Sequence, residues 1–376
     1  MNVRGAVLRE MGRPAPYAAS RPLEIVELEL APPGPGEVLV RVGAAGLCHS
    51  DLSVIDGSRP RVMPMVLGHE AAGEVVEAGP GVDELAPGDH VVLAFVAACG
   101  RCAPCVAGRA ALCEPAAAAN AAGTLLGGAR RWGDLDGAPL NHHLGVSAFA
   151  EHIVVSARSA VRVRPDLPFE LAALFGCAVL TGAGAVLHSA AVQVGESVAV
   201  FGLGGVGLAA LLGAVAAGAG PIVAVDVVES KLALALELGA SHAVAAGEGA
   251  VERVRELTGG GAEKAIETVG SAAVLADAYA ATRRGGTTVT VGLPDPSRML
   301  SIPAVSLVAE ERTLRGSYLG SSVPARDVPR FVALHDAGRL PVERLLTHRL
   351  SLDEGELNAG FDRLAAGEAV RQVVVP

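Results

Sequence analysis

The chain has 376 residues, of which 51% are hydrophobic, and its formal net charge is −10 at pH 7. This composition excludes an intrinsically disordered chain and allows one large domain or two domains with buried cores. The negative charge argues against nucleic acid and anionic membrane surfaces as partners. The first ten residues carry charges and lack a long apolar stretch, so we predict a cytoplasmic protein without a secretory signal.

The first region, residues 1 to 178, consists of short valine-containing runs that are separated by Gly and Pro. Examples are EVLVRV at 37–42, GEVVEA at 73–78 and DHVVLAF at 89–95. This spacing is typical of an antiparallel, barrel-like β domain. Residues 97–140 have little periodicity and predict a lobe without a core of its own, which a bound metal would stabilise.

The pattern changes at residue 179. Up to about residue 319, apolar β runs alternate with segments of helical spacing such as Glu229 to Leu238. Alternation of this kind predicts a doubly wound parallel sheet in an α/β domain. Residues 320–376 contain a helical stretch near 327–338 and end in the β-like run RQVVVP. We therefore predict that this tail returns to the first domain.

One segment, Ser197 to Val225, has no charged residue and passes a hydropathy test for a membrane span. Seven glycines and Pro221 divide it into an apolar run, a glycine cluster, an Ala- and Leu-rich stretch and a second apolar run. This division favours a strand, a turn, a buried helix and a second strand over a membrane helix.

A glycine-rich motif, GLGGVG at 202–207, follows the first of these apolar runs and precedes the Ala- and Leu-rich stretch. Glycines at such a turn let the backbone approach a pyrophosphate, which the helix N-terminus then binds. The candidate binding residues in the motif are Gly202, Gly204, Gly205, Val206 and Gly207. A bare structural turn is the alternative, but the strand and helix around the motif favour a dinucleotide.

Asp226 ends the next apolar run, nineteen residues after Gly207. A carboxylate at this place accepts hydrogen bonds from the adenosine ribose hydroxyls and repels a 2′-phosphate. The sequence therefore favours NAD over NADP. Lys231 either contacts the same ribose or is an ordinary surface lysine at a helix start.

All six cysteines fall into two groups. Four of them lie within fifteen residues and are spaced C-x2-C-x2-C-x7-C: Cys99, Cys102, Cys105 and Cys113. Such spacing brings thiolates together on tight turns, and a closed four-thiolate zinc site holds structure. An iron–sulfur cluster is the alternative, but the ferredoxin run continues with a gap of three residues and Cys-Pro.

The other two cysteines, Cys48 and Cys177, lie far apart, and each is in an apolar segment. His69 and Glu70 follow Cys48 by about twenty residues. Two thiolates and one imidazole would leave a zinc coordination position open for a substrate. Spacing alone does not assemble these residues, because a lone buried Cys or His more often packs a core.

Several motifs occur in a fixed order over nearly the whole chain. They are CHSD at 48–51, GHEAAGEV at 68–75, PGDHVV at 87–92, the four clustered cysteines, GLGGVG and Asp226. In this combination the chain resembles the zinc-containing medium-chain alcohol dehydrogenases, and within them the branch that includes classes I and III. The resemblance implies a GroES-like antiparallel β-barrel catalytic domain and a Rossmann-type NAD-binding domain. The implied catalytic domain spans 1–178 and 320–376 with a structural zinc lobe at about 97–115, and the NAD-binding domain spans 179–319.

The resemblance implies two zinc ions per chain. The catalytic zinc would bind Cys48, His69 and Cys177, and the structural zinc would bind Cys99, Cys102, Cys105 and Cys113. Glu70 corresponds to a glutamate behind the metal that assists ligand exchange. Asp51 corresponds to a carboxylate that orients the ligand imidazole, a support that metal-bound histidines usually have. Ser50 corresponds to the hydroxyl that hydrogen-bonds the substrate oxygen.

The resemblance also implies the remaining cofactor contacts. His49 and Arg371 correspond to residues that contact the pyrophosphate. Thr181 corresponds to a residue near the nicotinamide, and Val291 and Leu319 correspond to backbone contacts with its carboxamide. Whether NAD exchanges freely or stays tightly bound is open.

The implied reaction interconverts an alcohol and an aldehyde or ketone, with zinc as the Lewis acid and NAD as the hydride carrier. Some relatives complete the proton relay with a histidine at the position of Ser53, so the last relay step is open. The candidate pocket walls predict an apolar substrate, although each could instead pack the core: Phe95, Leu144, Leu293 and Tyr318. No partner other than this small molecule is implied, apart from a second copy of the chain in a homo-oligomer, either a dimer or a tetramer.

Two alternatives remain. A dehydrogenase for a thiol adduct or another specialised aldehyde is disfavoured, because Arg59 and Arg61 stand where the thiol-adduct branch has carboxylates. Those arginines would attract an anionic substrate or simply be solvated. A non-catalytic NAD-binding scaffold is the other alternative, and it would not need to keep the ligand set Cys48, His69 and Cys177.

Overall fold

Eighteen β-strands and thirteen α-helices build the fold of the computed structural model, which describes all 376 residues. In chain order the strands are β1 (Asn2–Leu8), β2 (Leu23–Leu30), β3 (Glu37–Gly46), β4 (Met65–Val66), β5 (Glu70–Ala78), β6 (His90–Leu93), β7 (Trp132–Gly133), β8 (Pro139–His142), β9 (His152–Ser156), β10 (Ala160–Val163), β11 (Val198–Phe201), β12 (Ile222–Asp226), β13 (His242–Ala245), β14 (Ala262–Glu267), β15 (Thr282–Thr290), β16 (Thr313–Gly316), β17 (Leu346–Ser351) and β18 (Arg371–Val375).

The α-helices are α1 (Tyr17–Ser20), α2 (His49–Ile55), α3 (Ala103–Val106), α4 (Glu114–Ala122), α5 (Phe169–Leu174), α6 (Leu180–Gly184), α7 (Gly205–Ala216), α8 (Glu229–Glu237), α9 (Ala250–Leu257), α10 (Ala272–Ala281), α11 (Ala304–Ala309), α12 (Pro324–Asp336) and α13 (Glu354–Ala365). Two π-helical segments, Phe175–Val179 and Ala185–Ser189, follow α5 and α6. The 3-10 turns are Ala110–Leu112, Ala157–Ser159, Leu319–Ser321 and Val342–Leu345.

The chain divides into two compact units. The first contains Met1–Cys177, Val323–Pro329 and Leu346–Pro376, and the second contains Ala178–Ser322 and Arg330–Leu345. The second unit thus includes part of the tail that the sequence analysis assigned to the first domain. The tail therefore contributes two separate segments to the first unit, and residues 330–345 between them belong to the second unit.

The first unit is built from two sheets. Strands β1, β2, β7, β8 and β4 close into a barrel whose pairings are antiparallel except for that of β4 with β8. The second sheet has the order β10-β6-β5-β3-β18-β17, and β9 also pairs with β3. Because β18 pairs antiparallel with β3, the C-terminal run returns to this unit as predicted.

The predicted lobe without a core is wrong at its C-terminal end. Trp132 and Leu140 lie in barrel strands and are at most 2% exposed, so these residues belong to a core. Only the part around the four clustered cysteines has short helices and turns without a sheet.

The second unit contains a six-stranded parallel sheet in the order β13-β12-β11-β14-β15-β16. Numbered by occurrence within this sheet, the order is 3-2-1-4-5-6, which is that of dinucleotide-binding doubly wound folds. Strands β11 and β12 are buried along their whole length, which explains their continuous apolar runs. The predicted α/β fold, with a doubly wound sheet and a β-barrel, is confirmed.

Ser197–Val225 forms a strand, the buried helix α7 and a second strand, as predicted, and so does not form a membrane span. Another helical segment, Phe169–Ser189, is long and apolar enough to cross a membrane by length and composition alone. Of its most apolar stretch, 78% is buried inside the protein, as in the core helix of a globular fold.

Candidate active site

Three side chains that are distant in the sequence meet in the first unit. Cys48 precedes α2, His69 precedes β5, and Cys177 lies in the π-helical segment after α5. One ligand atom from each lies within 4.8 Å of those of the other two. Their exposed fractions are only 7%, 0% and 5%, respectively. The structure therefore assembles the trio that sequence spacing could not.

The register of two neighbouring strands explains part of this assembly. Gly46 at the end of β3 pairs with Glu70 at the start of β5, so the residues that adjoin them, Cys48 and His69, come to the same edge. A Cβ at Gly46 would collide with the Glu70 carboxylate. Glycine at this position is what allows the two strands to carry the trio and the carboxylate together.

The orientation of the His69 ring leaves one nitrogen for a ligand. Its Nδ1 lies 3.1 Å from Asp51 Oδ1, and both side chains are fully buried. The Asp51 carboxylate also accepts hydrogen bonds from the backbone N–H groups of Cys48 and Gly68. His69 Nε2 makes no well-directed hydrogen bond, although the trio's sulfur atoms are near it. A carboxylate-oriented imidazole with a bare, buried Nε2 fits a metal ligand.

The two thiols of the trio cannot both ionise without a cation. Cys177 donates a hydrogen bond to Cys48, which outweighs burial and, together with Arg371, holds the pKa of Cys48 well below its usual range. The same hydrogen bond and burial raise the pKa of Cys177 well above its usual range. A divalent cation would deprotonate both sulfurs outright, so this pair also fits a zinc site.

Glu70 lies behind the trio and pairs with Arg371. The closest guanidinium nitrogen is 3.6 Å from the Glu70 carboxylate, and the two side chains are 3% and 0% exposed. Burial raises the pKa of Glu70 to about 7 even though Arg371 opposes the shift. Arg371 also donates a hydrogen bond to the carbonyl oxygen of Leu47.

The clustered cysteines form a second group, in which the four sulfur atoms lie within 4.8 Å of one another and none forms a disulfide. The backbone N–H groups of Arg101 and Cys102 donate to Cys99 and lower the pKa of its thiol to about 6. Burial raises the pKa of Cys105 to about 12. Four sulfur donors this close together fit a structural zinc, whose charge would stabilise them as thiolates.

The glycine-rich motif lies between β11 and α7 in the second unit. Gly202 has φ of +90°, and a Cβ at Gly207 would collide with the carbonyl oxygen of Gly202. Gly204 immediately precedes α7, and a Cβ there would meet no protein atom within 4 Å. The tight turn and the open space at the helix N-terminus fit a pyrophosphate.

Asp226 ends β12 and supports this turn. Its carboxylate accepts hydrogen bonds from the backbone N–H groups of Leu203 and Val228 and is 9% exposed. A carboxylate can accept about four hydrogen bonds, so two positions remain for ribose hydroxyls. The geometry fits the predicted role of Asp226 in cofactor binding.

Comparison with known proteins identifies the family. The alcohol dehydrogenase GroES-like domain matches residues 34–165, and the zinc-binding dehydrogenase family matches residues 205–336. The NDMA-dependent alcohol dehydrogenase of Amycolatopsis methanolica is 40% identical, over 96% of this chain and 97% of the relative. The chain belongs to the zinc-dependent alcohol dehydrogenase family.

Two further proteins are similar over the full length. The S-(hydroxymethyl)glutathione dehydrogenase of Paracoccus denitrificans is 36% identical, with 100% of both chains covered. The crystal structure of benzyl alcohol dehydrogenase from Acinetobacter calcoaceticus is 32% identical and superposes with a TM-score of 0.91, over 100% of this chain and 99% of that one. As a zinc alcohol dehydrogenase, the chain is an oxidoreductase that acts on CH–OH groups with zinc and a nicotinamide cofactor.

The other predicted residues of this zinc alcohol dehydrogenase lie in varied surroundings. Ser50 and Lys231 are half-buried, His49 is exposed, and Thr181 is 9% exposed. Leu319 is buried with φ of +50°, and Val291 is half-buried just after β15. The individual roles assigned to these residues stay predictions.

Sequence reasoning missed one residue of the site. His143 is 1% exposed, and its ring packs edge-on against His69 with centroids 5.5 Å apart. Its Nε2 lies 3.3 Å from the same Asp51 oxygen that orients His69. The signal in the sequence was a histidine directly before Leu144, which was itself predicted to line the pocket.

Proposed function

We propose that the protein oxidises an alcohol to an aldehyde or ketone with NAD, and catalyses the reverse reduction, at the trio of Cys48, His69 and Cys177. In the oxidation the carbinol carbon loses a hydride to NAD⁺ and the hydroxyl loses a proton, so the products are a carbonyl compound, NADH and H⁺. The observation that carries this proposal is the buried Nε2 of His69, which has no hydrogen-bond partner and lies close to the buried sulfur atoms of Cys48 and Cys177.

When bound, zinc supplies Lewis-acid polarisation of an alcohol or carbonyl oxygen, and NAD supplies the hydride acceptor. The chain's own residues do the rest. Asp51 fixes the His69 ring by accepting from Nδ1. Ser50, two residues after Cys48 in the first turn of α2, would accept the substrate's hydroxyl proton through its Oγ. Burial of the trio keeps bulk water away from it.

Glu70 and Arg371 support the exchange of ligands at the same site. Burial raises the pKa of Glu70 to about 7, so its protonated and ionised forms are close in free energy near neutral pH. Arg371 stays protonated because Glu70 and the thiols more than offset the effect of burial and raise its pKa. The pair therefore supplies a buried carboxylate whose charge can adjust when the donors around it change.

The carbon skeleton of the substrate is set by apolar side chains. Phe95 packs edge-on against His69 with ring centroids 5.5 Å apart, and Leu144 is 7% exposed. These contacts support an alcohol with an apolar skeleton, of the kind named for the Acinetobacter relative. The name of the Paracoccus relative favours a glutathione adduct as the alternative. Arg59 and Arg61, in place of the carboxylates of that branch, disfavour it.

The function is tested by metal content and by NAD reduction with a panel of alcohols that includes benzyl alcohol and S-(hydroxymethyl)glutathione. We expect two zinc ions per chain and NADH formation with at least one alcohol. Formation of NADH only with the glutathione adduct would favour the alternative. A chain that binds NAD but reduces it with no alcohol would contradict the proposed activity. A homo-oligomer, dimer or tetramer, and a cytoplasmic location stay predictions.

We expect Asp226→Asn to lower the preference for NAD over NADP by about tenfold, because the 2′-phosphate is no longer repelled and one hydrogen-bond acceptor is lost. The ratio of kcat/KM for the two cofactors measures this effect. Asp353→Asn is the matched control, since Asp353 also accepts a backbone N–H but caps α13 in the first unit. An unchanged cofactor ratio in Asp226→Asn would show that this carboxylate does not face the ribose.

The end of the proton relay is tested at Ser53. The Ser53 hydroxyl donates a hydrogen bond to the carbonyl oxygen of Ser50 at 3.0 Å, so no titrating group stands at this position. We expect Ser53→His to raise the oxidation rate above about pH 6.5, where a neutral imidazole accepts the proton, and to leave activity intact. The measurement is kcat/KM against pH, with Ser351→His at an exposed position of β17 as control. An identical profile for wild type and Ser53→His would rule out a relay through this position.

A further inference from the structure

Glu267 ends β14 at the carboxyl edge of the parallel sheet, between two strands that lead to predicted cofactor contacts. Its backbone pairs with Phe201, the last residue of β11, and with Thr290, the last residue of β15. The glycine-rich motif follows β11, and Val291, the predicted backbone contact of the nicotinamide carboxamide, follows β15 and opens the segment 291–293. Ligands of doubly wound sheets bind in the crevice outside the carboxyl ends of the strands. Glu267 therefore stands between the loop for the pyrophosphate and the segment for the nicotinamide.

The Glu267 carboxylate joins the turn 268–270 to the end of β15 through two short hydrogen bonds. One oxygen accepts from the Gly270 backbone N–H at 2.6 Å, and the other accepts from the Thr290 hydroxyl at 2.6 Å. The Glu267 carbonyl oxygen also accepts from the Val291 backbone N–H at 2.9 Å. The side chain is 1% exposed, and a buried carboxylate is costly unless hydrogen bonds satisfy it. These bonds fix the turn and the start of the segment to one side chain.

The turn and the segment pack backbone against backbone. Gly270 has φ of +79°, and a Cβ there would lie 2.9 Å from the backbone nitrogen of Leu293. A Cβ at Gly292 would lie 2.0 Å from the backbone nitrogen of Gly270. On its other side, the turn is tied to the glycine-rich motif, because the Thr268 hydroxyl donates to the carbonyl oxygen of Gly202 at 2.8 Å. A shift of the turn would therefore move the segment with it.

We propose that Glu267 is a positioning residue for hydride transfer, which holds the segment 291–293 against the turn 268–270 and so fixes the orientation of the nicotinamide ring. This inference rests on the proposed function and on the predicted contact of Val291 with the carboxamide. Glu267 is too deeply buried to contact the cofactor, so it acts through the backbone of Val291. The adenosine and the pyrophosphate have their own candidate contacts at Asp226 and the glycine-rich motif. Loss of the Glu267 carboxylate should therefore affect the nicotinamide half of the cofactor.

The test compares the binding of NADH with that of ADP-ribose, which has the same adenosine and pyrophosphate but no nicotinamide. We expect Glu267→Ala to weaken NADH binding by about tenfold in calorimetry, since hydrogen bonds to a charged group are lost, and to leave ADP-ribose binding unchanged. Thr290→Val removes only one of these bonds and should act in the same direction, which keeps the test available if Glu267→Ala does not fold. Glu267→Gln should retain NADH binding, because its amide can accept from the Gly270 N–H and donate to the Thr290 hydroxyl.

Glu263→Ala is the matched control on the same strand. Glu263 is the second residue of β14, and its carboxylate also accepts from one backbone N–H and one hydroxyl, both of Ser197. Because it lies at the amino edge of the sheet, its loss should leave the ratio of NADH binding to ADP-ribose binding unchanged. In the cofactor-free protein, hydrogen exchange of the Gly270 and Val291 amides should accelerate in Glu267→Ala and not in Glu263→Ala.

Kinetics separate positioning from cofactor binding. At saturating cofactor and alcohol, Glu267→Ala should lower kcat by about tenfold and raise the deuterium isotope effect on kcat, because a misplaced ring makes hydride transfer the slowest step. Equal weakening of NADH and ADP-ribose would indicate a merely structural role and overturn the inference. Unchanged NADH binding in folded Glu267→Ala would overturn it as well. Absence of NADH formation with every alcohol would instead overturn the proposed function, and the comparison of NADH with ADP-ribose would still test the role of Glu267.

Discussion

Cys177→Ala is expected to reduce the zinc content from two ions to one per chain and kcat/KM for alcohol oxidation by about 10³-fold or more. The thiol is one of three buried donors, and its removal leaves Cys48 and His69 as the only strong ligands. Lewis-acid polarisation supplies several kcal/mol of transition-state stabilisation, and about 1.4 kcal/mol corresponds to a factor of ten. Metal analysis and steady-state kinetics on the same preparation measure both effects.

A buried alanine could also act by loosening the core, so a packing control is needed. Val155→Ala removes two methyl groups from a fully buried position of β9 that has no ligand atom. It should lower stability by roughly 1 to 3 kcal/mol and retain both zinc ions and the activity of the folded enzyme. If Cys177→Ala instead keeps two zinc ions and near-normal kcat/KM, the trio is not the catalytic metal site.

Much of the fold follows from the period of the hydrophobic pattern. The β runs and helical spacings from 179 to 319 predicted the parallel sheet, because fully buried parallel strands have continuous apolar sequences and are joined by helices. The motif at 202–207 and Asp226 belong to one local strand-turn-helix unit and its neighbouring strand. The spacing of the motif and Asp226 along the chain was therefore enough to predict that they belong to one cofactor site.

In the first unit, the hydrophobic pattern did not predict the short barrel strands or the assembly of the trio. Strand β7 has two residues and β8 has four, which is too short for a period to be visible, so 132–140 was assigned to the lobe. The trio depends on the pairing of Gly46 with Glu70, and a register between strands is not encoded in local spacing. The trio was therefore predicted from the family motifs and not from the spacing of its residues.

His143 was missed for a related reason. A histidine in an apolar neighbourhood has no periodic signature, and its significance arises only from its contacts with Asp51 and His69. The resemblance to the family assigned roles to other positions, and His143 was not among them. The structure therefore adds most at a residue whose importance depends on contacts between distant parts of the chain.

Cys105→Ser in the four-cysteine lobe is expected to remove the structural zinc and to lower the free energy of unfolding by more than about 4 kcal/mol, as loss of a metal site typically does. The lobe between Cys99 and Cys113 contains only a four-residue helix and a 3-10 turn, and Cys99, Cys102 and Cys105 are only partly buried. Apolar packing therefore cannot hold it, and the metal ligands must. Denaturant unfolding, zinc content and limited proteolysis between residues 97 and 115 measure the loss.

Arg109→Ala is the matched control, because Arg109 is an exposed residue of the same lobe and contributes no ligand atom. It should keep two zinc ions and resist proteolysis as the wild type does. In Cys105→Ser the cleavage should be confined to the lobe, since the strands on either side, β6 and β7, pair within two sheets that contain no strand of the lobe. The zinc that remains should be the one at the catalytic trio, so activity at low temperature should survive while stability falls. A Cys105→Ser protein with two zinc ions and wild-type stability would show that the four sulfur atoms lie together without a structural metal.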